Sequence, residues 1–436
     1  MTISAIIALI TALAMIISVL FKPYLSFGKA KVGLYVIICV AGAACELIFG
    51  ELSFSQALAG ISADSSVNPL KILALFLSMT LISVCLGDSG FFHLVAKKAF
   101  TLSKGKNLSL FFILYAVVSA LTVFTSNDIV ILTFTPIICI FCKKSGVSPV
   151  PFLIGEFVAA NTWSMALIVG NPTNVYLAQS AGVSFADYFK VMALPALAAG
   201  VTAFIVLFAL FGKTLSKKSA AKVPDGAALA SARVNLPCMV AALIALIGVI
   251  IALALANLIG VEMWLITVIF ASALLLFNIV YGVARGEGLV RAASGIKKTP
   301  WELVPFILSM FVIVLSLEKS GITESIAAAL VKSDKTDGAA FGFLSAGLSN
   351  LLNNIPTSVI TEKIIAGKSL AATYGAVIGT NIGAFITPVG ALAGIMWTKI
   401  LSGYGIKLPF RKFFVFGVTV AIPTLFAATF TLFLVL

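Results

Sequence analysis

Charge is what this chain has least of. Asp, Glu, Lys and Arg make up only 10% of its 436 residues, while 61% are hydrophobic; soluble domains carry roughly 25% charged residues. The deficit runs the whole length, and mean hydropathy is +1.15, so a soluble globular domain is excluded. Histidine is almost absent: His93 is the only one, which leaves no Ser–His pair at plausible depth. Neither HExxH nor a phosphate-cradling Gly-rich loop ending in Lys-Ser/Thr occurs. ATP-driven transport, intramembrane hydrolysis and enzyme activity in general are therefore not expected. The six cysteines (Cys39, Cys45, Cys85, Cys139, Cys142, Cys238) lie inside apolar segments without paired spacing, so neither disulfides nor a zinc site is expected. No β-barrel alternation is present, which leaves a helical bundle.

What is there is a series of apolar runs of about 20 residues, enough to cross about 30 Å of hydrocarbon as helix. Spans are expected at 2–21, 32–50, 70–87, 150–180, 189–211, 236–256, 263–282, 301–318, 370–402 and 413–436. Two more apolar stretches, 108–142 and 339–366, are split by polar residues near their middle and fit re-entrant hairpins better than single spans. The first run carries no positive side chain ahead of it and continues past Ala12-Leu13-Ala14 to Phe21, so it reads as a retained span rather than a cleaved signal. The expected fold is an all-α polytopic membrane protein with about ten transmembrane helices and two re-entrant hairpins in an inverted-topology repeat.

The net charge of +13 reflects topology, not a nucleic-acid partner. Most of the basic residues fall in segments that share one side on this span assignment. They are Lys22, Lys29 and Lys31; Lys97, Lys98, Lys104 and Lys106; Lys143 and Lys144; the central run from Lys213 through Lys217, Lys218 and Lys222 to Arg233; Arg285, Arg291, Lys297 and Lys298; and Lys407, Arg411 and Lys412. Positive-inside bias places that side in the cytoplasm and both termini outside, as in a bacterial-type cytoplasmic membrane. A basic linker at 213–235 divides a first repeat (1–212) from a second (236–436). Five crossings per half make the two copies enter the membrane in opposite senses, so hairpin one faces the cytoplasm and hairpin two the exterior. Residues 88–103 read as an amphipathic helix at the cytoplasmic interface, carrying His93, with Gly321–Val331 as its counterpart.

The halves also share chemistry. With Ser119 laid on Ser345, Asn127 falls on Asn353 and Asp128 on Asn354; Gly155, Asn161 and Gly170 match Gly375, Asn381 and Gly390 at identical spacing. Ser126-Asn127-Asp128 and Asn350 with Asn353-Asn354-Ile355-Pro356 are poor helix interiors. Gly170-Asn171-Pro172-Thr173-Asn174 interrupts the fourth span, and Asn381 with Thr387-Pro388 and Gly390 the ninth. Polar breaks at matching places in two halves point to the substrate site of a secondary transporter, where helix N-termini and amides meet a solute. For one asparagine taken alone, ordinary helix packing through small and polar residues is the competing account; four coordinated breaks argue against it. Intramembrane carboxylates are functional candidates because burial is costly: Asp128 for proton or cation coupling, against a capping role, and Glu156 as a second protonation site, against pairing with lysine or solvation. Glu46 and Glu51 are expected to lie solvated near the outer surface.

At these motifs the chain resembles the arsenite/antimonite permease family of the wider ion transporter superfamily. The likeness runs from about residue 30 onward through Gly90-Phe91-Phe92, Ser126-Asn127-Asp128 on to Thr135-Pro136, Ser349-Asn350 with Asn353–Pro356, Asn381-Ile382-Gly383 with Ile386–Gly390, and Trp397. The resemblance implies two re-entrant hairpins, two unwound helices and efflux of a small neutral or anionic solute, with Asn127, Asp128, Asn353, Asn354, Asn381 and Thr387 lining the site. It also implies a homodimer joined through a scaffold, and a soluble ATPase partner, without any resident cofactor. One motif departs: Gly170–Asn174 looks more like the turn of sodium-coupled dicarboxylate and sulfate carriers, whose hairpin tips carry Ser-Asn-Thr where this chain has Asp128 and Leu351. The function expected is proton-coupled arsenite or antimonite efflux. Sodium-coupled dicarboxylate, citrate or sulfate transport and sodium/proton antiport are the alternatives within the class; a passive channel and a structural membrane protein lie outside it.

Overall fold

The computed structural model describes residues 2–21, 24–27, 30–63, 68–216, 234–330, 334–365 and 369–436. Most of the basic linker lies outside the described residues. In chain order the helices of the first half are α1 (Ile3–Phe21), α2 (Leu34–Phe49), α3 (Phe54–Ser62), α4 (Pro69–Asp88), α5 (Phe91–Leu102), α6 (Asn107–Phe124), α7 (Asn127–Ser145), α8 (Val150–Trp163), α9 (Pro172–Ser180) and α10 (Phe185–Leu215). The second half holds α11 (Leu236–Ala254), α12 (Ala256–Ile259), α13 (Met263–Ala284), α14 (Val290–Lys298), α15 (Leu303–Lys319), α16 (Ile322–Leu330), α17 (Asp334–Leu352), α18 (Asn354–Ile365), α19 (Leu370–Gly383), α20 (Leu392–Gly403) and α21 (Phe410–Val435). A two-stranded antiparallel hairpin, β1 (Tyr24–Phe27) and β2 (Ala30–Gly33), joins α1 to α2 with Tyr24 opposite Gly33. The sequence reading had no strand there.

Seven helical stretches among the described residues are long and apolar enough to cross a membrane, and α1 and α2 add shorter apolar helices. Their exposed faces are apolar as well: on α11 Val240, Ile244, Ile247 and Ile251, one stripe at helical spacing, are each more than two-fifths exposed. Water would disfavour such a belt and lipid covers it. This is a multi-pass α-helical membrane protein.

The two halves repeat element by element: α1, α2 and α4 correspond to α11, α13 and α15, α5 to α16, the α6–α7 hairpin to α17–α18, broken helix α8/α9 to α19/α20, and α10 to α21. Their packing is reciprocal. α4 lies on α11 and α13, while α15 lies on α1 and α2; α9 lies on α18, while α20 lies on α7; and α10 pairs with α21. Each copy therefore closes over the other, the arrangement two related units adopt about a common axis.

One of the closest helix pairs is α17 on α19. A Cβ on Gly375 would stand 2.1 Å from the Gly338 carbonyl oxygen, and one on Gly379 2.2 Å from that of Gly342. Backbone therefore meets backbone, the contact that small residues permit within a membrane. The matching pair in the first half is looser, since Gly155 packs under the Phe111 ring instead.

α5 forms where the amphipathic helix was expected: Phe92, Ala96 and Phe100 are buried, and Leu94, Lys97 and Lys98 exposed. His93 is half-buried there, and burial lowers its pKa. α16 stands at its expected counterpart. The expectation for Glu46 is overturned. It is fully buried, and its carboxylate accepts a 2.7 Å hydrogen bond from Ser316, whose hydroxyl is 2.8 Å from that of Ser4. α1, α2 and α15 converge around it, which hydropathy along one helix does not reveal. Glu51, by contrast, is exposed.

Candidate functional site

Four interruptions converge in the interior. The first hairpin turns at Thr125 and Ser126, with Ser126 extended and α7 starting at Asn127. The second turns at Asn353, which takes a left-handed φ of 76°. Asparagine tolerates that conformation better than most residues, and its side-chain oxygen accepts from the Ile355 amide (3.4 Å). Pro356 then falls in the first turn of α18, where its missing donor costs nothing. Between α8 and α9 the chain makes two 3-10 turns, 164–166 and 168–170, and Asn171 caps α9 by accepting from Thr173 N (3.2 Å). Residues 384–391 separate α19 from α20. Both broken helices fold back on themselves at the matched glycines: a Cβ on Gly170 would lie 2.2 Å from the Ser164 carbonyl oxygen, and one on Gly390 3.0 Å from that of Ala384.

Asn381 is the hub. Its side-chain oxygen accepts from Ser164 Oγ (2.7 Å) and Asn171 Nδ2 (3.0 Å), and its Nδ2 donates to Asn174 Oδ1 (2.6 Å) and the Val377 carbonyl (2.8 Å). Asn174 in turn donates to the carbonyls of Ser164 and Leu167, and Thr380 Oγ1 stands 3.4 Å from Thr173 Oγ1. Asn161, the repeat counterpart of Asn381, serves the hairpin instead: Asn127 Nδ2 donates to its Oδ1 (3.1 Å). The second hairpin tip hangs from the second break. Asn353 Nδ2 donates to the Val389 carbonyl (3.1 Å), and the Asn354 amide to that of Gly390 (2.9 Å). Asn350 donates to the Gly383 carbonyl (3.1 Å) and accepts from Thr387 (2.7 Å). Every group in this network is a neutral amide, hydroxyl or backbone carbonyl. Ser126 Oγ and Asn127 Oδ1, both buried, have no protein partner.

The structure thus brings Asn127, Asn161, Asn171, Thr173, Asn174 and Asn381 together, with Asn350, Asn353 and Asn354 on the adjoining tip and Thr387 on the second break bonded to Asn350. It sets the two carboxylates apart from them. Asp128 lines a cavity of about 380 Å3 together with Thr80, Lys297, Trp301, Leu392 and Met396, whereas Asn127 bonds to Asn161. Glu156, on α8, is buried, and Thr135 of hairpin one donates to it at 2.8 Å with the Trp397 indole beside it; among the described residues no lysine forms an ion pair with it. Ser164 and Thr380 escaped the sequence reading. The counterpart of Ser164 is Ala384, so the repeat gave no signal for it.

A family model described as a citrate transporter matches residues 3–376. The chain belongs to the citrate transporter family. Proteins named arsenical pump membrane protein are similar along most of this family member: that of Escherichia coli K12 is 29% identical over 374 residues, 81% of this chain and 83% of that one. The Yersinia enterocolitica protein is 28% identical over 404 residues, 86% and 90%. The resemblance to arsenite permeases read in the motifs holds. The solved YdaH transporter of Alcanivorax borkumensis covers 99% of this chain and 97% of its own, with a TM-score of 0.51 at 13% identity, a likeness of fold alone. Family and relatives together make this a membrane transport protein.

Proposed function

We propose that the chain is a secondary active transporter that exports arsenite or antimonite in exchange for protons, by alternating access across a cytoplasmic membrane with both termini outside. One observation carries the solute reading: the groups in the hydrogen-bond network that joins the tips and breaks are all neutral. Trivalent arsenic and antimony hydroxides are uncharged at neutral pH and both donate and accept hydrogen bonds, so amides and hydroxyls match them. Citrate or sulfate would have to rely on those same amides and on the N-termini of α7 and α18, since Lys297 and Lys298 line the Asp128 cavity and take no part in the network.

Alternating access has support in the unequal surroundings of the two tips. The Asp128 cavity lies at the Leu303 end of α15, on the Lys-rich side assigned to the cytoplasm. At the other tip, Asn353, Met15, Tyr35 and Phe306 leave only about 10 Å3 between them, also toward the cytoplasmic ends of α1, α2 and α15. The Asp128 cavity is the route that would give access from the cytoplasm. The hairpins, broken helices, α10 and α21 would move as one body against α1, α2, α11 and α13, with α4 and α15 packed on those four. Asp128, the only carboxylate at either tip, would exchange the coupling proton where the cavity opens.

Flux of arsenite into everted vesicles or proteoliposomes under an imposed pH gradient tests this. Asp128→Asn should abolish gradient-driven flux while leaving the folded protein in the membrane. Unchanged coupled flux in that variant would remove Asp128 from the mechanism. A second reading, sodium-coupled citrate transport, draws on the family description and on the Gly170–Asn174 turn. Sodium-dependent citrate uptake in the same vesicles, without arsenite flux, would replace the first reading.

A further inference from the structure

A buried carboxylate on the second hairpin lies outside the amide network. Glu362 sits on α18 and is 9% exposed. Tyr176 Oη, itself buried, donates to Glu362 Oε2 at 3.3 Å. Lys363 Nζ lies 3.8 Å from that same oxygen and 3.1 Å from Glu318 Oε2. The charged groups acting on Glu362 are Lys363 and Glu318, and the neutral Tyr176 phenol donates to it. The other ionisable groups described on the helices packed against α18 are Lys319, bonded to the Glu51 carbonyl and to Gln56, Glu324 on α16, Asp337 on α17 and Tyr374 on α19.

Two carboxylates therefore share one ammonium ion, and the closer one is not on the same body. Glu318 ends α15, which packs on α1 and α2, whereas Glu362 and Lys363 belong to the hairpin that packs on α19. An unshared negative charge held away from water is costly, and protonation removes the cost. We propose that Glu362 is a proton-binding site, filled when Lys363 is paired with Glu318 and emptied when that pair separates.

The inference rests on the alternating-access reading. While hairpin two lies against α15, Lys363 is committed to Glu318, and Glu362 holds a proton beside Tyr176. When the hairpin moves off α15, Lys363 loses Glu318, turns to its neighbour Glu362, and the proton leaves. One proton is bound in the first state and released in the second. Low pH therefore favours the arrangement seen here and high pH the separated one. The site stands at the opposite end of α15 from the Asp128 cavity, about 22 Å away along the helix at 1.5 Å per residue. It is also linked to the solute network: Tyr176 is two residues from Asn174, which accepts from Asn381.

Hydrogen–deuterium exchange of the full chain in nanodiscs, without solute, reads this directly, with rates normalised for the intrinsic effect of pH. In the wild type, exchange of peptides spanning the ends of α15 and α18 should rise roughly threefold or more between about pH 5.5 and 8.5. Glu362→Gln should hold the slow, low-pH rate throughout, because its amide stands for the protonated acid. Glu318→Gln frees Lys363 and should show the fast rate throughout, which keeps the proposal testable even where Glu362→Gln fails to fold. A wild type that does not respond to pH, or a Glu362→Gln or Glu318→Gln protein that titrates like the wild type, overturns the proposal. Because no solute is present, loss of arsenite flux would sink the transport reading without touching this result, and the reverse.

Discussion

Asn381→Ala is the sharpest single perturbation of the network. Asn381 is fully buried and makes four hydrogen bonds, to Ser164, Asn171, Asn174 and the Val377 carbonyl. Three of them, to Ser164, Asn171 and Asn174, cross to the other broken helix, and interhelical hydrogen bonds in membranes average about 0.6 kcal/mol each, so these three come to about 1.8 kcal/mol. The substitution also strips the Asn171 amide of its only side-chain partner and leaves Asn174 Oδ1 with only the 3.4 Å contact to Thr173. Unpaired buried groups of this kind cost about 1–3 kcal/mol each, so at the low end of that range the two raise the expected loss to about 4 kcal/mol. Thermal unfolding in detergent gives the stability change, and vesicle flux the functional one; both should fall together, because the same bonds hold the two broken helices in register. Asn381→Asp should lose at least as much, since it sets an oxygen against the Asn174 and Val377 oxygens that now receive its amide. An Asn381→Ala protein with wild-type unfolding and wild-type flux would refute the claim that this side chain fixes the site.

Gly379→Ala should destabilise the protein by about 2–3 kcal/mol, because its methyl would meet the Gly342 carbonyl at 2.2 Å and Ser345 Cβ at 2.8 Å. Gly347→Ala, with nothing within 4 Å, should leave the unfolding temperature unchanged; equal effects from the two would contradict the α17–α19 contact. Glu46→Gln keeps an acceptor for Ser316 and should shift stability by less than about 1 kcal/mol with coupled flux intact. A collapse of flux in that variant would show that Glu46 acts in transport rather than in packing.

Much of this molecule was legible in order along the chain. A run of apolar residues 20 long must become a helix in lipid, since backbone polar groups have no other partner there, so the spans and their breaks followed from hydropathy and from Asn, Gly and Pro. The duplicated Asn127/Asn353 and Asn161/Asn381 positions marked where the chain stops being helical, and those stretches do converge. Local composition does not say which way a side chain points once helices meet. It grouped Asp128 with Asn127, adjacent residues that the start of α7 turns toward different surroundings. It put Glu46 in water because α2 alone ends there, and it gave no sign of Ser164, whose counterpart is an alanine.

The sequence by itself determined the membrane environment, the helical class, the twofold repetition and the neutral chemistry of the breaks, because each depends on residue type and spacing. Only the tertiary structure decided that Asn161 and Asn381, equivalent in the repeat, hold different partners, and that α4 and α15 each lie on the other half. Only it set Glu318 against Lys363 across 45 residues of chain. The physical reason is that hydrogen bonds and ion pairs act over about 3 Å, and packing alone brings distant parts of a chain that close.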